Sequence, residues 1–250
     1  MTVTPYFFDT NVLIGYCYCY DPQHKNAQKI FHKEKSTHHW STNVECEFNE
    51  IYQEKQNKIT DLITKLVGKL TNLLLKLKDD HKKEINEGNK KIKPSKNTKN
   101  LKFLLSQSYS IVIEDFDIKS RKKIIETIWK NARLGSKEPI NKIILILEKF
   151  ESIFYLLVGK NRKKMMKKLN DLHKREILYP ECENILPLDG IDQLEGAGGD
   201  MSICLDAHDL VNKKPFLYLK LITDDTKFYN AKKIIEEKTN ITEVICLRHC

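Results

Sequence analysis

Predicted strands alternate with predicted helices at both ends of this 250-residue chain. The apolar run Tyr6–Phe8 predicts a buried strand that leads through Asp9 into a helix, and Phe216–Thr223 predicts a strand that follows a helix beginning at Asp200. Such alternation produces a parallel sheet covered by helices, so we predict an α/β fold. The other elements of these ends are predicted strands at His38–Ser41, Ile177–Tyr179, Ile185–Leu188 and Val244–Leu247, and predicted helices at Lys25–Lys33, from Thr42 onward, and at Asn230–Lys238.

The stretch between the two ends, residues 57–175, follows a helical pattern. Leucines recur at helical spacing along residues 62–77, whereas Asn86–Asn100 is rich in Lys and Asn and predicts a loop. The sequence therefore predicts a sheet domain formed by residues 1–56 and 176–250, which an all-helical insertion interrupts. The other helices predicted in the insertion are Ser120–Leu134, Ile140–Val158 and Asn161–Arg175.

Charge is distributed unevenly over these two parts. The chain carries a net charge of +9, but residues 57–175 hold 30 Lys and Arg against 13 Asp and Glu. The two ends together hold 13 Lys and Arg against 21 Asp and Glu. A basic insertion suits contact with a polyanion, and acidic ends suit cations.

Three composition features exclude whole classes of protein. No run of about 18 uncharged apolar residues exists, so no membrane span is expected. No basic region followed by an apolar one opens the chain, so no signal peptide is expected. The seven cysteines are irregularly spaced, as is typical of reduced thiols in the cytoplasm.

Acidic residues stand where the predicted strands end. Asp9 ends the first strand and Asp225 follows a late one, while Asp200 opens a helix and Glu45 lies near the start of another. The carboxyl ends of parallel strands meet at the edge where open α/β sheets place their sites. Clustered carboxylates repel one another unless a divalent cation lies among them, and hard oxygen ligands suit Mg²⁺ or Mn²⁺. The adjacent Asp224 is an alternative to Asp225 in this set.

Other acidic residues have simpler explanations. Thr42 followed three residues later by Glu45 is also the pattern of a helix capping box, which needs no metal. Asp206 and Asp209 follow Asp200 on other faces of the predicted helix, and we expect them on the surface. The role of Glu45 therefore stays open between a cap and a metal ligand.

A dense group of cations lies near the end of the insertion. Between residues 160 and 175 only Asp171 opposes eight basic residues. Such a run suits phosphate contacts that bind nucleic acid without reading its sequence, although a solvated helix face would look the same. These residues are Lys160, Arg162, Lys163, Lys164, Lys167, Lys168, Lys174 and Arg175.

Four segments, taken in order, resemble the PIN-domain nucleases. They are Phe7–Ile14 (FFDTNVLI), Ser41–Glu45 (STNVE), Asp200 with Ala207 seven positions later, and Leu221–Phe228 (LITDDTKF). The resemblance implies a PIN-like parallel sheet and a Mg²⁺- or Mn²⁺-dependent ribonuclease, with RNA as its partner. The acidic site it implies consists of Asp9, Glu45, Asp200 and Asp225, with Asn11 and Thr223 as polar supports.

Two other functions remain open from the sequence. A structure-selective DNA nuclease could thread a strand beneath helical arms, and a nucleic-acid-binding or assembly module could carry a degenerate site. For a ribonuclease, RNA maturation and toxin activity are both open. A second copy of the chain or an inhibitory protein is also open as a partner.

Overall fold

Four parallel strands form one sheet in the computed structural model, which describes residues 3–18, 21–86, 152, 155–177, 179, 199–214 and 218–250. The sheet order is β2-β1-β3-β4, and the parallel pairing confirms the predicted α/β fold. The strands are β1 (Thr4–Phe8), β2 (Ser36–His39), β3 (Lys220–Thr223) and β4 (Glu243–Cys246).

Helices connect these strands, close to the predicted positions. The helix predicted at Asn230–Lys238 begins at Lys232, and the short α6 before it was not predicted. The helices are α1 (Thr10–Cys17), α2 (His24–Phe31), α3 (Thr42–Asn86), α4 (residues 155–166), α5 (Asp200–Lys213), α6 (Thr226–Asn230) and α7 (Lys232–Lys238), and a 3₁₀ turn spans Leu247–His249. The predictions for residues 87–100, 120–134 and 185–188, and most of Ile140–Val158, lie outside the described residues.

The two central strands are covered on both faces. Phe7 and Phe8 of β1 are fully buried, as are Leu221 and Ile222 of β3. The ring of Phe8 stacks on Phe31 of α2, with 4.4 Å between the ring centroids. The sequence of a parallel strand that is buried on both faces is a nearly continuous apolar run, and for this reason β1 and β3 could be predicted from the sequence.

The chain forms two compact units. One unit consists of residues 1–54 and 157–250 and contains the sheet, and the other consists of residues 55–156. Residues 157–175, which the sequence assigns to the insertion, therefore belong to the unit that contains the sheet.

The helix predicted at Asn161–Arg175 ends at residue 166, and the chain beyond it runs along β2. The backbone N–H of Asn170 donates to the carbonyl of His38 at 2.8 Å, and that of His173 donates to the carbonyl of Trp40 at 3.1 Å. β2 lies at one edge of the described sheet, and the backbone groups on its outer side need partners. Hydrogen bonding to β2 therefore replaces the last part of the helix that the spacing of basic and apolar residues predicted for Asn161–Arg175.

Asp206 and Asp209 are buried, which corrects the prediction that they lie on the surface. Asp209 accepts hydrogen bonds from the Tyr179 hydroxyl at 2.6 Å and from His173 Nε2 at 2.9 Å. Asp206 accepts one from Arg175 Nε at 2.9 Å. Helical spacing cannot reveal burial by a segment that is distant in the sequence. The two aspartates therefore hold the segment 173–179 against α5.

We expect Asp209→Ala to lower the free energy of unfolding by about 3–5 kcal/mol, because it leaves Tyr179, His173 and Lys213 without a buried acceptor. Urea unfolding followed by circular dichroism measures this change. Asp171→Ala, which removes an exposed carboxylate from the neighbouring turn, is the matched control and should shift stability by less than about 0.5 kcal/mol. Equal effects of the two substitutions would contradict the anchoring role of Asp209.

Each helix within the described ranges is either too short or too polar to pass through a lipid bilayer.

Candidate active site

The sheet has a topological switch point between β1 and β3. From β1 the chain continues through α1 and α2 to β2 on one side, whereas β3 pairs with the other side of β1. Open α/β sheets bind ligands in the crevice outside the carboxyl ends of strands at such a point. Asp9 directly follows β1 there, and Asp224 and Asp225 directly follow β3.

Asp9 is a buried carboxyl group in an unfavourable electrostatic environment. Its side chain is 2% exposed, and its Oδ2 accepts a hydrogen bond from Thr223 Oγ1 at 2.7 Å. Burial, and to a smaller extent the charges of Glu47 and Asp200, raise the pKa of Asp9 to about 8 against the opposing effect of the hydrogen bond from Thr223. A carboxyl group in this position stabilises a nearby cation once it is ionised.

Glu47 of α3, a residue that the sequence analysis did not include, interacts electrostatically with Asp9. The Thr10 hydroxyl donates a hydrogen bond to Glu47 Oε2 at 2.5 Å, and the residue is half-buried. Burial raises the pKa of Glu47 against this hydrogen bond, and the charges of Glu50 and Asp225 add to the rise. Two residues along a helix correspond to a rotation of about 200°, so Glu45 and Glu47 project in different directions. Sequence reasoning missed Glu47.

The hydrogen bonds at the start of α3 differ from the capping box of Thr42 and Glu45 that the sequence pattern suggested. Ser41 is the residue that caps α3, because its Oγ accepts a hydrogen bond from the backbone N–H of Val44 at 3.4 Å. The Thr42 hydroxyl instead donates to the carbonyl of His173. Glu45 is half-buried in the first turn of α3.

Asp225 caps the short helix α6. Its Oδ1 accepts hydrogen bonds from the backbone N–H groups of Lys227 at 2.6 Å and Phe228 at 3.2 Å. Its own backbone N–H donates to Thr223 Oγ1 at 2.9 Å. Thr223, which is fully buried, therefore links Asp225 to Asp9 across the switch point.

Asp224 has a different partner. Arg248 Nε donates to Asp224 Oδ1 at 2.9 Å, in a pair at the surface. Burial raises the pKa of Asp224 against the effect of Arg248, and the charges of Asp21 and Asp225 add to the rise. The carboxylate of Asp224 is thus hydrogen-bonded to an arginine, and the charge of Asp225 acts on both Asp224 and Glu47.

The two remaining predicted residues lie at helix starts. Asp200 is the first residue of α5 and is half-buried, and its charge contributes to the raised pKa of Asp9. Asn11 is exposed in the first turn of α1. The structure thus links Asp9 electrostatically with Glu47 and Asp200, and Glu47 with Asp225.

The side chains of Asp9, Glu47, Asp200 and Asp225 all carry carboxylate oxygens, which are the ligands that a hard divalent cation prefers. Within the part of the chain that the structure describes, however, no three His, Cys, Asp or Glu side chains are grouped closely enough to hold a metal ion. Binding an ion there would require these carboxylates to move closer together.

The predicted basic residues divide into two groups. Arg162 donates to Asn49 Oδ1 at 2.9 Å, Lys168 donates to the carbonyl of Phe31 at 2.9 Å, and Arg175 pairs with Asp206. These three cations bind partners within the protein, and we therefore remove them from the proposed nucleic-acid contacts. The exposed members are Lys160, Lys163, Lys164, Lys167 and Lys174.

Comparison of the chain with protein-family models, with curated proteins and with solved structures finds no significant match.

Proposed function

We propose that the protein is a PIN-like, Mg²⁺- or Mn²⁺-dependent endoribonuclease that hydrolyses phosphodiester bonds at the carboxyl edge of its sheet. The observation that carries the proposal is the burial of Asp9 at the switch point, beside the like charges of Glu47 and Asp200. Like charges gathered around a buried carboxyl group are costly without a cation, and such perturbed groups concentrate at functional sites.

In this proposal the carboxylate side chains bind the cation, and two threonine hydroxyls orient those carboxylates. Asp9, Glu47, Asp200 and Asp225 would hold the cation, which when bound neutralises phosphate oxygens and lowers the pKa of an attacking water. Thr10 orients Glu47, and Thr223 orients Asp9 through its hydroxyl. Asp225 uses Oδ1 to cap α6, so its Oδ2 is the atom we assign to the cation.

A nucleic-acid-binding module without catalysis is the second candidate. The observation that favours it is the lack of a preassembled group of three metal-ligating side chains among the described residues. The two candidates differ in one outcome, which is hydrolysis.

The deciding experiment incubates the purified protein with labelled single-stranded RNA and, separately, with single-stranded DNA. We expect cleavage of the RNA in Mg²⁺ or Mn²⁺, no cleavage in EDTA, and none by Asp9→Asn in either metal. Binding without cleavage under all conditions would favour the non-catalytic module. Preferential cleavage of the DNA would identify a DNA nuclease instead.

Exposed lysines on α4 and directly after its end supply a surface for the RNA backbone. They recur at i, i+3, i+4 and i+7, and they are Lys160, Lys163 and Lys164 of α4 and Lys167, the first residue after it. Val158 and Met165 of α4, in contrast, are fully buried. We call these four residues the lysine stripe. Its charges attract phosphates without reading the bases.

We expect replacement of the whole lysine stripe by Gln to weaken binding of single-stranded RNA equally for every sequence. Counterion release predicts that the slope of log affinity against log salt becomes shallower by about 0.7 for each phosphate interaction removed, or by roughly 3 in all. Fluorescence anisotropy at several salt concentrations measures the slope. The control variant K25Q/K29Q/K33Q/K35Q removes four exposed lysines around α2 and the start of β2. Equal slopes for the two variants would assign the stripe to an ordinary solvated surface.

A further inference from the structure

A cationic and aromatic surface lies next to Asp224 and Asp225, at the carboxyl end of β4. The turn that follows β4 carries Arg248, whose side chain is 53% exposed. Arg248 Nε donates to Asp224 Oδ1 at 2.9 Å, and Nη2 donates to the Asp224 carbonyl at 3.3 Å. A guanidinium has five N–H donors, and these two hydrogen bonds use two of them. Arg248 can therefore bind an anion while Asp224 holds it in place.

Tyr229 extends this surface from α6. Its backbone N–H donates to the carbonyl of Asp225 at 3.0 Å, so the tyrosine lies one helical turn beyond the capping aspartate. The ring is half-exposed and packs edge-on against His249, with 5.5 Å between centroids. Lys232 Nζ lies 5.1 Å from the ring centroid. An aromatic ring beside cations is what proteins use to bind single-stranded nucleic acid.

Stability does not account for these residues. A surface ion pair such as Arg248–Asp224 contributes little, because water and salt screen it. The ring of Tyr229 is likewise incompletely buried. The charge of Arg248 also interacts with Asp225, which places this cation at the border of the acidic group.

We propose that Arg248, Tyr229 and Lys232 form a nucleotide subsite for single-stranded RNA beside the acidic centre. Arg248 donates to a phosphate oxygen, Tyr229 stacks on the adjoining base, and Lys232 binds the backbone. The inference rests on the proposed nuclease function, because it takes the acidic group as the place where the phosphodiester is cleaved. The subsite would position the nucleotide that neighbours the reacting phosphate.

The test measures binding separately from cleavage. Each variant is made in the Asp9→Asn protein, and a fluorescein-labelled eight-nucleotide oligouridine is titrated by anisotropy over a series of salt concentrations. We expect Tyr229→Leu to weaken binding by about 5-fold to 150-fold, the range that corresponds to the removal of one base stack, with an unchanged salt slope. We expect Arg248→Gln to flatten the salt slope by about 0.7.

Two controls isolate the subsite. Lys233→Gln removes an exposed charge from α7 next to Lys232 and should change neither affinity nor slope by a comparable amount. Thermal unfolding of Tyr229→Leu and Arg248→Gln should match that of the parent, since both side chains are exposed or half-exposed.

The outcomes for the subsite and for the nuclease are distinguishable. Unchanged affinity in Tyr229→Leu together with an unchanged slope in Arg248→Gln overturns the subsite, even if the wild-type protein cleaves RNA. The expected decreases in affinity and slope support the subsite even if the wild-type protein cleaves nothing. Tighter binding of an eight-nucleotide oligothymidine DNA than of oligouridine overturns the assignment of RNA as its ligand.

Discussion

Asp9→Asn is expected to stabilise the metal-free protein at neutral pH while abolishing cleavage. Burial raises the pKa of Asp9 to about 8 from an ordinary value of 3.8, so the folded state holds a proton that the unfolded state releases at pH 7. The resulting penalty is on the order of 4 kcal/mol at pH 7, and asparagine does not incur it. Asparagine can also accept the hydrogen bond from Thr223.

The sign of the pH dependence follows from this raised pKa. The stability associated with Asp9 is fully present below the unfolded pKa of 3.8 and is lost as pH rises to about 8. The two proteins should therefore be similar near pH 4 and should differ most at pH 8 and above. His39, whose pKa burial lowers to about 4, titrates in both proteins and cancels from the difference.

Urea unfolding at pH 4, 6 and 8, with and without Mn²⁺, measures this effect. We expect Mn²⁺ to stabilise the wild-type protein and to leave Asp9→Asn unchanged, since an ion that binds only the folded state adds to its stability. Asp171→Asn, at an exposed position, is the control for removal of a charge alone. A constant difference between wild type and Asp9→Asn from pH 4 to pH 8 would contradict the buried, protonated state of Asp9.

The second large effect separates two glutamates on α3. We expect Glu47→Gln to lower kcat/KM for RNA by at least about 10-fold to 100-fold, because it removes a proposed metal ligand, and Glu45→Gln to leave the rate near that of wild type. Thr10→Val should lower metal affinity by about 10-fold, because Glu47 then lacks the hydrogen bond that orients it. Initial rates measured over a Mn²⁺ titration give both quantities.

The pair of glutamate variants contains its own control, because both remove the same charge from the same helix two residues apart. Loss of activity in Glu45→Gln, with an active Glu47→Gln, would return the second acid of the site to the position that the sequence suggested. Loss of activity in both variants would indicate that the cleavage rate depends on the negative charge of this part of α3 rather than on a single metal ligand.

The central strands and their terminal acids could be predicted from the sequence because their signals are local. Tyr6–Phe8 is a continuous apolar run, and Asp9 interrupts it at the point where the strand ends. β3 likewise contains the apolar pair Leu221 and Ile222 and is followed directly by Asp224 and Asp225, between which the sequence left the choice open. Because β1 and β3 pair in parallel, their carboxyl ends, and the acids that follow them, lie at the same edge of the sheet.

The choice between Glu45 and Glu47 could not be made in this way. The buried residues Val44 and Phe48 define the side of α3 that packs on the protein. Glu47 lies three positions after Val44, and Glu45 lies three positions before Phe48, so they flank this side symmetrically. Contacts of Glu47 with residues on other elements distinguish the two, namely the hydrogen bond from Thr10 and the interaction with Asp9.

The buried role of Asp206 and Asp209 was inaccessible for a related reason. Their partners His173, Arg175 and Tyr179 lie about 30 residues or more away in the sequence, where the pattern predicted a basic helix up to Arg175 and a short strand at Ile177–Tyr179. Part of this segment forms hydrogen bonds with the edge of β2 instead of continuing as a helix, and no local sequence pattern indicates this pairing.

The hydrogen bond between Thr223 and Asp9 joins residues that are 214 positions apart. Ribosomes make β1 before β3, and the long stretch of chain between them has to be synthesised before β3 and the carboxylates that follow it can emerge. Nascent or prematurely terminated chains that lack β3 therefore cannot assemble the acidic centre. If the protein cleaves RNA, this order of synthesis keeps the nascent chain inactive until β3 has been made, which protects the message and the ribosome that produce it.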